Sequence, residues 1–337
     1  MSYTSGRVSP QAWDDFFDIH DYIAADNATV GSRYRLVAKP LALRVGMYDL
    51  ASRCATFSGR GHIIGLFAPS LTMSIIKRHN INIVGNGNKT MVLAHGYGCD
   101  QIMWRFLTPE FENDYRIVLF DHVGAGKSDL SAYRRQKYES LDGYADDILE
   151  IIAETSDSPV IFVGHSVSSM IGVLAAIKRP SAFERLILVG PSPCYINDGD
   201  YVGGFTRSDI DGLLQTLADN HLGWSKAMAP VIMKNAERPE LAAELEESFC
   251  RTDPEIARHF ARATFLSDNR ADLASLTVPS LVLQCSDDSI APDEVGEFVH
   301  RHLTVSTLVK MKAVGHCPHL SAPAETIQLI KEYLSAL

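Results

Sequence analysis

Ser166 stands in Gly164-His165-Ser166-Val167-Ser168, after the apolar run Val160–Val163 and before the small-residue apolar run Met170–Ile177. This pattern reads as a strand, a sharp turn and a helix. Such a turn lifts a serine hydroxyl out of the backbone and aims the following amide at the same point. Gly164 keeps a side chain out of the turn. The general pattern is G-x-S-x-G, and Ser168 replaces its last glycine. A serine hydroxyl needs a base within hydrogen-bond reach, and that base needs an orienting acid. Candidates lie in two later segments, each following a strand-like run: Cys285-Ser286-Asp287-Asp288-Ser289 and Gly315-His316-Cys317-Pro318-His319. Asp288 competes with Asp287 for the acid, and His316 with His319 for the base. The chain order is serine, aspartate, histidine.

Acyl transfer also needs donors for a developing oxyanion. The backbone N–H of Val167 is one candidate. The loop His95-Gly96-Tyr97-Gly98 offers the N–H of Tyr97 as a second, with a glycine on each side.

Other chemistries find less support. Gly124-Ala125-Gly126-Lys127-Ser128 invites a phosphate-binding reading, but Asp121 stands where a P-loop requires its first glycine. Six scattered cysteines form no C-x-x-C pair and no zinc spacing. They read as reduced, mostly buried thiols, and neither a metal nor a cofactor is expected. A net charge of −10 argues against nucleic acid and anionic membrane surfaces as partners. No apolar run reaches membrane-spanning length, and the polar, aspartate-bearing N-terminus does not read as a secretory signal. A cytoplasmic protein is expected.

The chemistry has to be positioned by alternating strands and helices. Strands are expected at Ile75–Val84, Met91–His95, Arg116–Phe120, Val160–Val163, Arg185–Gly190, Val278–Cys285 and Ser306–Met311. Gly85-Asn86-Gly87-Asn88 reads as a hairpin turn. Helices are expected at Gln101–Phe111, Leu141–Glu154 and Ala324–Leu337, with four more at Ser208–Leu217, His221–Lys234, Glu240–Cys250 and Asp253–Leu266. The fold class is therefore α/β, with a mostly parallel sheet covered on both faces. Residues 73–196 and 272–337 form its core, and 197–271 are a helical insertion. Residues 1–72 carry no clean period and read as an appended extension, with Met73 as the natural start.

Three stretches carry a family resemblance: His95-Gly96-Tyr97-Gly98-Cys99-Asp100-Gln101, Asp121-His122-Val123-Gly124-Ala125-Gly126-Lys127-Ser128-Asp129-Leu130 and Gly315-His316-Cys317-Pro318-His319-Leu320-Ser321. From about Ile75 onward the chain resembles the RsbQ-type α/β-hydrolases. These include a bacterial stress-response regulator and the plant strigolactone and karrikin receptors. Gly190-Pro191-Ser192-Pro193-Cys194-Tyr195 and Phe249-Cys250-Arg251-Thr252-Asp253-Pro254 look closest to the bacterial member. The resemblance implies an α/β-hydrolase fold with a four-helix lid over an enclosed apolar pocket. It implies Ser166 as nucleophile, His316 as base and Asp288 as orienting acid, with Tyr97 and Val167 at the oxyanion positions. It implies a pocket lined by Tyr97, Tyr195, Phe205, Trp224, Met228, Phe265 and Ile290. It further implies a small apolar ester or lactone as substrate and a PAS-domain protein phosphatase as partner, in signalling to a general stress sigma factor. A general carboxylesterase and a ligand-sensing receptor with slow hydrolysis are the competing expectations.

Overall fold

The computed structural model describes residues 74–336, so the expected extension at 1–72 lies outside the described residues. Seven strands form one sheet: β1 Asn82–Val84, β2 Lys89–Ala94, β3 Tyr115–Leu119, β4 Val160–His165, β5 Phe183–Val189, β6 Ser280–Gln284 and β7 Ser306–Lys310. Their spatial order is β1-β3-β2-β4-β5-β6-β7, and only the β1–β3 pairing is antiparallel.

Strict alternation within the central strands divides their side chains between two cores. Val92, Phe162, Leu186, Leu188 and Val282 point to one face. Met91, Leu93, Ile161, Val163, Ile187, Val189, Leu281 and Leu283 point to the other. Both faces are covered, which is why these strands read as continuous apolar runs. Helices α1 Leu141–Thr155 and α2 Val167–Lys178 cover the first face, through residues such as Tyr144, Ile148 and Ile171. Trp104, Phe111 and Ile330 cover the second.

The four helices of the insertion are α3 Arg207–Asp219, α4 His221–Met233, α5 Pro239–Arg251 and α6 Pro254–Phe265. They share an apolar core of their own with Tyr195 and Phe205. Their boundaries follow local chemistry. Thr206 and Asp209 form a capping box at α3, Asn220 caps α4, and Asp253 caps α6 ahead of Pro254. Helices α7 Asp293–His302 and α8 Pro323–Ser335 follow in the C-terminal part.

Three expectations require correction. Gly85-Asn86-Gly87-Asn88 is not a hairpin, because β1 pairs with β3 rather than with β2. The segment instead crosses tightly over the chain before β3. A Cβ on Gly85 would lie 2.3 Å from the Tyr115 carbonyl oxygen, and one on Gly87 would lie 2.0 Å from that of Asp114. Ile75–Val84 is not one strand: Ile75–Arg78 is a helical turn, and His79 is buried with its ring on the Asp121 carbonyl. Gln101–Phe111 divides into a 3-10 turn, Gln101–Trp104, and a short helix, Thr108–Phe111. Helix α7 was not foreseen. Its signals were Asp293 and Glu294 in the first turn and His300, Arg301 and His302 in the last. A crossover helix is also what the parallel β6–β7 pair demands.

The Gly124–Ser128 loop folds around a carboxylate, not a phosphate cradle. Asp121 accepts hydrogen bonds from the N–H groups of Gln101 (2.9 Å) and Lys127 (2.8 Å). A Cβ on Gly126 would lie 2.5 Å from that carboxyl group.

Candidate active site

Strand β2 is flanked by β3 on one side and β4 on the other, so the chain reverses its direction of travel across the sheet there. The carboxyl ends of strands at such a switch point form a natural crevice. Ala94 pairs with Gly164, which sets the loop at 95–98 beside the turn at 165–167. Ser166 occupies that turn with φ 56° and ψ −123°. For a serine this is a strained conformation, worth on the order of 1–3 kcal/mol. It is held by the Ser166 N–H donating to the Val189 carbonyl (2.8 Å) and by the Ser169 N–H donating to the Ser166 carbonyl (2.9 Å). Gly164 is required for close approach, since a Cβ there would lie 2.5 Å from the Ser168 carbonyl oxygen.

Strand ends elsewhere in the sheet bring in the other two groups. His316 Nε2 lies 2.7 Å from Ser166 Oγ, and His316 Nδ1 lies 2.7 Å from Asp288 Oδ2. The second oxygen, Asp288 Oδ1, accepts from the N–H groups of Ile290 (2.8 Å) and Ala291 (3.1 Å). The carboxylate is thus held on both sides and aimed at the imidazole. Gly315 takes φ 80°, where a Cβ would strike the Met233 carbonyl oxygen at 2.2 Å. The backbone of His316 is fixed by its N–H to the Ile232 carbonyl (2.8 Å) and by His165 Nε2–H to its own carbonyl (2.8 Å).

Neither competing residue reaches the serine. Asp287 points outward and pairs with Lys234 at 2.6 Å, with most of its side chain exposed. His319 is fully buried between Trp104 and His165, with ring centroids 4.7 and 4.4 Å away, and neither of its ring nitrogens has a hydrogen-bond partner.

That environment makes a pH prediction. Burial pushes the His319 pKa down to about 3, and His165 is driven well below its ordinary value for the same reason. The unfolded chain takes up a proton on His319 near pH 6.5, whereas the native protein does so only near pH 3. Stability from this group is therefore intact above about pH 6.5 and falls as pH drops toward 3, by up to about 1.4 kcal/mol per unit. His319→Phe keeps an aromatic ring between Trp104 and His165 and removes the titration. Urea unfolding at pH 7 and pH 4.5 should show the stability gap shrink by up to about 3 kcal/mol in that variant. An unchanged gap would mean that His319 is protonated in the native state.

Val167 is the first residue of α2, where helical N–H groups have no partner within the helix. The Gly96 carbonyl accepts from His95 Nδ1–H (2.9 Å) and from the Cys99 N–H (3.3 Å). In a trans peptide the N–H points opposite to the C=O, so anchoring the Gly96 carbonyl also sets the direction of the Tyr97 N–H.

Above these groups lies an apolar cavity. Its walls include Tyr97, Tyr195, Trp224, Met228, Phe265 and Ile290, and its floor includes Ser166 and His316. The volume open to the centre of a water-sized sphere is about 30 Å³, room for about two waters. Phe205 lies in the same apolar core as these wall residues and donates its N–H to the Tyr195 carbonyl (3.1 Å). Cys99, Ile232, Leu245, Phe249, Thr264 and Cys317 also line the cavity, because only the packing of loops and helices far apart in the chain brings them to one space. Tyr195 is buried in this wall, and burial holds its hydroxyl pKa above the ordinary value. Burial also raises the thiols of Cys99 and Cys317, which stay protonated and poorly nucleophilic. All five cysteines among the described residues are free. No helix of the described residues is long and apolar enough to cross a membrane.

Residues 91–329 match the family description "Alpha/beta hydrolase family". The chain is 37% identical to the karrikin insensitive 2 receptor CA of Petunia hybrida over 264 residues, covering 78% of this chain and 98% of that protein. It is 37% identical to the strigolactone esterase D14 of Arabidopsis thaliana over 262 residues, covering 77% and 98%. Among solved structures, a hydrolase from Oleispira antarctica superposes with a TM-score of 0.76 at 41% identity, covering 77% of this chain and 96% of that one.

Proposed function

The chain belongs to the alpha/beta hydrolase family, and from that premise we propose that it is a serine hydrolase acting on a small apolar ester or lactone. One observation carries this reading: the hydrogen-bonded line Ser166–His316–Asp288 at the floor of an apolar cavity. Ser166 Oγ attacks the acyl carbon while His316 Nε2 takes its proton. Asp288 holds the imidazole with its proton on Nδ1 and stabilises the imidazolium. The N–H groups of Val167 and Tyr97 receive the developing oxyanion. Proton return from His316 releases the alcohol; the lactone's own alcohol stays attached to its acyl chain. Water activated by the same histidine then frees Ser166. None of these steps uses a metal or cofactor.

The motif resemblance to RsbQ-type hydrolases supports a signalling role in the cytoplasm. In this reading the protein acts with a PAS-domain phosphatase upstream of a general stress sigma factor.

A ligand-sensing reading with slow turnover draws on a separate observation. The space above Ser166 and His316 is small, about 30 Å³ for the centre of a water-sized sphere, which favours ligand entry coupled to movement of the helical cover. A bound ligand is then coupled to cover conformation, and three of the similar proteins carry the name of receptors.

Intact-protein mass after mixing with p-nitrophenyl acetate tests the proposal. A transient acetyl adduct mapped to Ser166 is expected, and its lifetime separates the two readings: fast release marks an esterase and slow release a sensor. Turnover with an adduct on any other residue would refute the assignment of Ser166.

A further inference from the structure

Ser168 occupies the position where the G-x-S-x-G pattern has glycine, and its side chain is fully buried. We propose that Ser168 and His122 are positioning residues that hold the Gly96–Tyr97 peptide in the orientation that binds the oxyanion. The inference rests on the hydrolase reading above.

The hydrogen bonds can be followed proton by proton. Ser168 Oγ lies 2.5 Å from the His95 carbonyl oxygen and 2.8 Å from His122 Nε2. A hydroxyl has one proton, and a carbonyl oxygen can only accept. Ser168 therefore donates to His95 and accepts from His122 Nε2–H. The other nitrogen, His122 Nδ1, has no partner. The backbone N–H of His122 donates to His95 Nε2 at 3.1 Å, which leaves the His95 proton on Nδ1. That proton goes to the Gly96 carbonyl.

One continuous chain thus runs from helix α2 at Ser168, through the segment after β3 at His122, to the segment after β2 at His95 and Gly96. Each of its three side chains is at most 1% exposed, so bulk solvent does not reach these groups. Its last link is the carbonyl of the peptide that carries the Tyr97 N–H. A glycine at 168 would leave the His95 carbonyl and His122 Nε2–H both unpaired, and would loosen the His95 main chain from which that peptide extends. Misplacing a catalytic dipole by about 1 Å can cost about 100-fold in rate.

The test compares the wild type with Ser168→Ala, Ser168→Gly, His122→Phe and His122→Gln. It measures hydrolysis of p-nitrophenyl acetate and affinity for a small alkyl trifluoromethyl ketone, whose tetrahedral adduct places an oxyanion at the same donors. Ser168→Ala, Ser168→Gly and His122→Phe should lower kcat by about 10- to 100-fold, with KM little changed. Ketone affinity should fall in step with kcat/KM. His122→Gln, whose amide N–H can stand in for Nε2–H, should recover most of the loss. If the Ser168 variants do not fold, the His122 pair decides the matter alone. Unchanged kcat, reduced kcat with undiminished ketone affinity, or a Gln variant as poor as the Phe variant would each overturn the proposal. Wild-type protein without Ser166-dependent turnover would sink the hydrolase reading and this inference with it. Normal wild-type turnover beside silent Ser168 and His122 variants would sink only the inference.

Discussion

Ser166→Ala is expected to lower ester turnover by about 10⁴- to 10⁶-fold, the range seen when a triad nucleophile is removed. The reason is local. Ser166 Oγ is the one hydroxyl that His316 Nε2 meets at 2.7 Å, and no covalent intermediate can form without it. The fold should survive. Ser166 keeps its backbone bonds to Val189 and Ser169 whatever its side chain, and alanine removes a single oxygen. Thermal unfolding by circular dichroism should therefore stay within a few degrees of the wild type. The substitution also separates catalysis from sensing. A ligand that raises the melting temperature of Ser166→Ala as much as that of the wild type binds without reacting. Ester hydrolysis within tenfold of the wild type would rule out Ser166 as the nucleophile.

Asp288→Asn should lower kcat by about 10⁴-fold with little change in stability, through the tautomer of His316. Asp288 Oδ1 is committed to two backbone N–H groups, Ile290 and Ala291. An asparagine would keep its carbonyl oxygen on those donors and turn its NH₂ group toward His316. The imidazole would then accept at Nδ1 and carry its proton on Nε2, facing Ser166. A protonated Nε2 cannot take the serine proton, so the base would be lost while every contact distance is retained. Steady-state kinetics together with the nitrogen chemical shifts of His316 check this. Full activity, or an unchanged Nδ1–H signal, would show that Asp288 does not set the tautomer. The same change at Asp287 should have almost no effect, because that carboxylate only pairs with Lys234 at the surface.

Much of the fold was legible because it depends on local pattern. Apolar runs of strand length alternated with amphipathic helical stretches, which is enough to call for a parallel sheet covered on both faces. The helices of the insertion were readable to within a few residues, because caps such as Asn220 and Asp253-Pro254 are local chemistry. Errors fell where pairing is not local. Gly85–Asn88 looked like a hairpin because turn residues signal a bend but not the strand that receives it, and β1 found β3 instead. Ile75–Val84 read as one strand, yet its first residues form a helical turn whose next residue, His79, is buried against the Asp121 carbonyl.

The candidate site divides along the same line. Residue types and chain order pointed by themselves to a serine, an acid and a base at three strand ends. The motif resemblance, not spacing, preferred Asp288 over Asp287 and His316 over His319. Tertiary structure supplies the physical distinction. Asp288 is buried against two backbone donors and the imidazole, whereas Asp287 faces solvent beside Lys234. His316 meets the serine, whereas His319 is sealed between aromatic rings. Only the folded chain gave Ser168 a set of partners, since His95 and His122 reach it from the ends of two other strands. A sequence determines its own local periods and the chemistry its side chains carry. Which two groups come within 3 Å, and which of them lose their water, depends on segments far apart in the chain, and only their packing decides that.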